Sequence, residues 1–472
     1  MNKFLKNISI YSIGRILPPL LSFLLLPIYT SNTNTFEYGV ISSMQVFNVI
    51  IALSFTLALD LALFRIYHDF TKENDRKDLL GTLFFTFLFA SIFFIILFFL
   101  FQNKISLLFV SIEFSPYYII TIGYTFVNIF SIIPLIYLQI KHKAKSFTIL
   151  SLLSLFSSIS FILYFLVYKQ QGALGFLKGE LYSKLILLPI YLYLTFKIIN
   201  FKFSYDKLIN TLKFSLPMIP GLLSVWVLNL SDRIFIERYI SLEQVAIYSV
   251  AYKLASIILI LFGAFGMAYN PFFYEKASSL DQVTAKKELS YINNIYVIIS
   301  FYLSTGLILF CNNIFDIFFD VSYLAGYKII PFIVLGCFFS LVTSLLNLMF
   351  NQEKKSLQLM YIAFFAAILN VILNELLIPN YGILGAALST FICFALILLI
   401  EYKFSKLYYF IEFDFKLIFK SFIPMFFLYI LCYFNNTSLE MLIIKIVLYL
   451  IVGFITAFRI FPNLLTNINR KI

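Results

Sequence analysis

The sequence predicts an all-α, polytopic membrane protein of about fourteen transmembrane helices, built as two parallel six-helix lobes plus two extra helices. Composition, recurring apolar runs and an internal repeat predict it. Of 472 residues, 61% are hydrophobic and 12% charged, with a mean hydropathy of +0.94. Water-soluble domains run about 45–50% apolar and about 25% charged. Phe (59) and Tyr (32) are abundant, whereas the two histidines, His68 and His142, fall in polar connectors.

A helical span needs about 20 mostly apolar residues. Such segments run roughly 8–29, 37–63, 79–101, 114–139, 147–168, 174–196, 211–231, 243–269, 290–311, 327–350, 357–379, 382–402, 417–434 and 440–461. The first resembles a signal peptide in its lysine-led start. Its apolar run holds Arg15, Pro18 and Pro19 and ends without a small-residue cleavage site, so it is expected to be a retained span.

Lysine and arginine set the orientation. With the N-terminus cytoplasmic, 25 of the 35 basic residues fall in cytoplasmic segments and 4 (Lys104, Lys169, Arg238, Lys328) in outer connectors. Positive charge collects on the cytoplasmic side of short loops. An even span count with both termini cytoplasmic satisfies this asymmetry. The net charge of +12 is then a topology signal that also meets anionic membrane lipid, and no nucleic-acid partner is expected. The outer connectors are short and hold no domain that could house catalysis.

Spans one and seven both follow a lysine and are both interrupted. Lys6 and Gly14 match Lys213 and Gly221 at an offset of 207, and Pro18 and Pro19 have counterparts in Pro217 and Pro220. Lys145–Ser146 matches Lys355–Ser356 at 210, as does Gly172–Gly175 (GALG) with Gly382–Gly385 (GILG). Six spans per unit is even, which gives two parallel copies. Lobes at 1–205 and 206–403 are expected, with two further spans in 404–472. Corresponding Gly/Pro-interrupted spans in two halves point to a binding site, and a mid-span proline bends its helix. Pro18, Pro19, Pro217 and Pro220 are the expected hinges; Pro27 is expected to end its helix.

A charge at the bilayer centre costs about 2.5–3.5 kcal/mol on insertion scales. Arg15 sits about 11 Å inside the first span at 1.5 Å per residue; it either snorkels or lines a cavity. Lys253 lies close to mid-membrane in the eighth span and is the stronger cavity candidate. Glu180 and Lys184 form an i, i+4 pair that either neutralises itself or serves function. Asp232 and Arg233 read as interfacial, and Lys445 as snorkelling. Asp60, Glu180 and Glu375 are the candidate ion-coupling carboxylates. Arg15, Lys253, Lys184 and Arg233 are the candidate substrate contacts, since a basic cavity in low dielectric attracts anions and guanidinium matches phosphate oxygens. The four cysteines, Cys311, Cys337, Cys393 and Cys432, show no clustered ligand spacing, so neither metal nor disulfide framework is expected. No phosphate-cradling glycine loop occurs, and no cofactor is expected.

NISIYSIGRILPPLLSFLLLPIYT followed by EYGVISSMQVFNVI resembles the opening of polysaccharide repeat-unit flippases of the Wzx type. These belong to the multidrug/oligosaccharidyl-lipid/polysaccharide exporter superfamily. SDRIFIERYISLEQVAIYSVAYKLAS at 231–256 is similar to the family's DR, linker, G-x-Y-S-x-A-Y-K segment, with Ala246 where glycine is usual. NYGILGAALST at 380–390 resembles the start of the twelfth span. The resemblance covers the whole chain. It implies two six-helix lobes plus two helices in a bacterial inner membrane. It implies flipping of undecaprenyl-pyrophosphate-linked oligosaccharide, such as an O-antigen unit for lipopolysaccharide, by alternating access driven by proton or sodium antiport. Polymerase and chain-length proteins of the same pathway are the implied partners. Related lipid II flippases also carry an arginine in the first span, which Arg15 matches; a further arginine later in that helix is missing here. Two alternatives stand beside this reading. A multidrug exporter shares the superfamily fold, and a polytopic polysaccharide polymerase shares the composition.

Overall fold

The computed structural model describes residues 14, 16–433 and 439–460. Among them every regular element is helical. Twelve helices are long and apolar enough to cross a membrane, from Thr35–Thr56 to Glu440–Ala457. The remaining two predicted spans are helical as well, as Ile16–Ser31 and Phe415–Tyr433. The chain is thus a multi-pass membrane protein of all-α class. Some helices outrun the bilayer. Gln282–Phe318 has 37 residues, about 55 Å at 1.5 Å per residue, against a hydrocarbon core of about 30 Å.

The helices are punctuated where their residues force it. The first breaks at Leu25, and Pro27 lies in the first turn of the following piece, Leu26–Ser31. Proline is tolerated there because its missing N–H has no helical partner anyway. Pro27 therefore begins a helix instead of ending one. The seventh span tightens into a 3-10 turn, Leu216–Met218, which contains Pro217, and Pro220 opens Ile219–Leu230. The second span is not continuous over 37–63. Leu57 and Ala58 both take left-handed backbone, φ 50° and 56°, between Thr35–Thr56 and Leu59–Ile66. The eighth is split at Ser256 into Leu242–Ala255 and Ile257–Ala277.

The repeat shows in the turns. His142 and Lys354 both have positive φ, and each is followed by the same 6→1 bond: Lys143 N–H to Leu138 O at 2.8 Å, Lys355 N–H to Phe350 O at 2.9 Å. These turns correspond at an offset of 212. The Lys-Ser pairs matched in sequence at 210 are therefore out of structural register by two residues. Gly172 and Gly382, at 210, both hold positive φ.

Contacts divide the chain into two compact units. The first comprises 1–250 and 363–386, the second 251–362 and 387–472. The first holds the seventh span and most of the eleventh. In it, Gly39 and Gly81 allow close backbone approach; a Cβ would strike the carbonyls of Leu242 and Asn200 respectively. The Asn200 linker is clasped to span three: Asn200 Nδ2 donates to Asp78 Oδ1 at 2.7 Å, and Lys207 pairs with Asp75 at 3.0 Å and Asp78 at 3.7 Å. Asn34 and Glu37 form a reciprocal capping box at the start of span two. In the second unit, Phe301 stacks on Phe422 at 3.6 Å, and the Tyr302 and Tyr449 hydroxyls each donate to the other residue's carbonyl at 2.9 Å.

Candidate functional site

Arg15 lies outside the described residues. Lys253 is half-buried in Leu242–Ala255, three residues before the break, and its carbonyl accepts from Ser256 Oγ at 2.9 Å. Glu180 and Lys184 do pair, at 3.7 Å, and Glu180 also accepts from Ser158 Oγ at 2.7 Å. The pair thereby ties span six to span five. Asp60 sits half-buried just beyond the left-handed break of span two. Glu375 is exposed and accepts from the Tyr239 hydroxyl.

Asp232 and Arg233, at the end of the seventh span, are buried in protein. They are 1% and 5% exposed, and Nη1 of Arg233 donates to Asp232 Oδ1 at 3.0 Å and to Asn229 O at 2.7 Å. The Tyr248 hydroxyl donates to the other carboxylate oxygen, and the guanidinium lies over the Tyr248 ring at 5.4 Å. One residue away, Ser231 Oγ donates to Asn370 Oδ1 at 3.5 Å, which also accepts from Asn374 Nδ2 at 3.1 Å. Both asparagines are buried, and Asn374 Oδ1 has no hydrogen-bond donor. A buried acceptor without a donor is uncommon. The first unit thus gathers a carboxylate and a guanidinium from the end of the seventh span, a phenol from the eighth and two amides from the eleventh. Glu237, also buried, accepts from Ser111 N–H at 2.7 Å.

The second unit holds polar groups that sequence reasoning missed. Glu401 is 4% exposed, and the Asn347 amide, oriented to satisfy both groups, donates to its two oxygens at 3.2 and 3.3 Å. Lys445 does not snorkel; it is 4% exposed and lines a cavity. A second cavity, of about 600 Å³, is lined by Lys286, Lys287, Lys406, Glu412 and Asp414 among others. Nearby, the Lys286 ammonium lies 4.8 Å from the Tyr409 ring, and burial pushes the Tyr409 phenol up from its ordinary value. Outside the spans, Asp281 caps Gln282–Phe318; the hydrogen bond from Thr284 holds its carboxyl below the usual range. Among the described residues no cluster of three metal-ligating side chains occurs.

Comparisons place this geometry among known proteins. A family model described as polysaccharide biosynthesis protein matches residues 4–277, and the MatE model matches 217–376. An uncharacterized membrane protein of Methanocaldococcus jannaschii is 26% identical over 267 residues, 53% of this chain and 51% of that protein. The chain thus matches about half the length of this curated relative. Among solved structures, lipid II flippase MurJ in an inward closed conformation aligns with 96% of this chain and 99% of its own, at a TM-score of 0.76 and 18% identity. A multidrug resistance MATE family transporter of the MOP superfamily, inward-facing, aligns over 84% of this chain and 97% of its own, at 0.66 and 14%. At such identities the likeness is one of fold. With more than half of its residues matched by the family model, the chain belongs to the polysaccharide biosynthesis protein family.

Proposed function

We propose that this protein flips undecaprenyl-pyrophosphate-linked oligosaccharide repeat units across a bacterial inner membrane, with both termini cytoplasmic, and carries out no covalent chemistry. One observation carries the reading: a polysaccharide biosynthesis family match joined to a lipid II flippase fold over nearly the whole chain. The membrane charges support it. Arg15 and Lys253 are cations within apolar spans, where an anionic head group offsets their desolvation. Lys184 and Arg233 are already answered by Glu180 and Asp232, so their part is to hold the wall of the path. The pyrophosphate meets Arg15 and Lys253, the sugars follow through a polar route, and the polyprenyl tail stays in lipid. The two halves, taken as 1–205 and 206–403 with 404–472 attached, then rock about Pro18, Pro19, Pro217 and Pro220.

Proton or sodium entry is assigned to the carboxylates Asp60, Glu180 and Glu375. Asp232 joins them, because the neighbouring Asn374 oxygen is buried without a donor.

Arg15→Ala and Lys253→Ala are each expected to abolish surface polymer in a flippase-deleted host while protein abundance stays unchanged. Normal polymer in both variants would remove them from the mechanism. The MatE match over 217–376 favours a second reading, drug export. Raised drug resistance without restored polymer would select it.

A further inference from the structure

We propose that the cavity among spans nine, ten, thirteen and fourteen binds the phosphate of an anionic lipid head group. It has a volume of about 480 Å³ and is lined by Cys311, Asn312, Tyr327, Lys328, Tyr429 and Lys445, with Ile308, Leu309 and Pro331. Lys445 is 96% buried, with neither hydrogen bond nor ion pair among the described residues. No carboxylate lines the cavity, so this cation faces it without a counter-charge. Of its polar side chains, the two lysines can only donate. Asn312 Oδ1 is taken by the Cys311 thiol at 3.4 Å, and its amide nitrogen has no acceptor among the described residues. Lys328 adds a second, exposed cation at the mouth. Two lysines and no carboxylate in the lining specify an anion.

Size and depth select a lipid. The cavity holds the volume of about sixteen waters at about 30 Å³ each, more than a bare five-atom anion fills. Lys445 is six residues into Leu439–Ile460, about 9 Å along the helix. Lys328 lies in the Val321–Ile329 connector, on the face opposite the lysine-rich loops. The pair therefore lies toward the membrane side opposite those loops, with Lys445 inside the span and Lys328 at its end.

Native mass spectrometry of the purified full-length protein, with one added phospholipid at a time, tests this. Wild type is expected to retain one phosphatidylglycerol about fivefold more strongly than phosphatidylcholine. K445M is expected to lose that preference and K445R to keep it. Equal retention of the two lipids by wild type, or an unchanged preference in K445M, would overturn the proposal. Inorganic phosphate is expected not to displace the lipid; displacement at millimolar phosphate would reassign the site to the free anion and overturn the lipid source. Should K445M fail to fold, K328Q at the exposed mouth carries the test. A reduced preference there supports the site, and an unchanged one refutes it.

Discussion

Spans five and six turn into one another through Gly172, spans eleven and twelve through Gly382, with φ of 54° and 62°. Around that shared backbone the surroundings differ. A Cβ on Gly172 would strike the Glu37 carboxylate of the capping box, whereas one on Gly382 would meet only Ile240 Cδ1, at 3.8 Å. The charges differ too. At the offset of 210, Glu180 and Lys184 become Thr390 and Phe394. Thr390 is 2% exposed, and its hydroxyl has no hydrogen-bond partner. Duplication has preserved the chain path and let the chemistry diverge, so the two copies need not share a function at matched positions.

That contrast can be broken experimentally. The largest effect is expected at Gly172→Ala: left-handed strain plus displacement of Glu37 from its cap, about 2–3 kcal/mol. Gly382→Ala meets the strain alone, about 1 kcal/mol. Thermal midpoints in detergent compare the two, and equal losses would show that Glu37 yields freely. Next, Glu180→Gln leaves Lys184 unpaired in a largely buried site and is expected to cost about 1–2 kcal/mol. Thr390→Val removes an unbonded hydroxyl and should stay within about 0.5 kcal/mol of wild type. If Thr390→Val proves as harmful as Glu180→Gln, the second copy carries hidden polar work. A smaller loss than that of Glu180→Gln alone is expected for the Glu180→Gln, Lys184→Met double variant. Removing both partners restores part of what Glu180→Gln loses, so the two effects do not add. Strict additivity, read from the same midpoints, would mean the pair is not coupled.

Much of this was legible in the sequence, for physical reasons. A span announces itself by about 20 apolar residues, and this requires no knowledge of neighbours. The seventh-span interruption was legible because Pro217 and Pro220 cannot supply amide protons. The break at Leu57–Ala58 was not, because neither residue carries a turn signal; tertiary packing imposes the left-handed backbone there. Asp232 and Arg233 read as interfacial because they end an apolar run. Their burial involves Tyr248, close in sequence but on another span, while the adjacent Ser231 meets Asn370 of the distant eleventh. Lys445 and Glu401 were misjudged or passed over for the same reason. Position within a span says how deep a charge lies, while its angular neighbours decide whether it sees lipid, water or protein. The Lys-Ser landmark misled by two residues, since identical letters can flank turns that are not aligned.

The left-handed pair at Leu57 and Ala58 has a consequence for mapping the second span. Two helical pieces joined by such a step do not share one angular phase. A thiol-reactivity stripe traced through 40–56 will not project onward to Asp60 at 100° per residue. Any assignment of Asp60 to an aqueous or lipid side must be made from 59–66 alone, and accessibility profiles should be fitted as two registers with a discontinuity at residue 57.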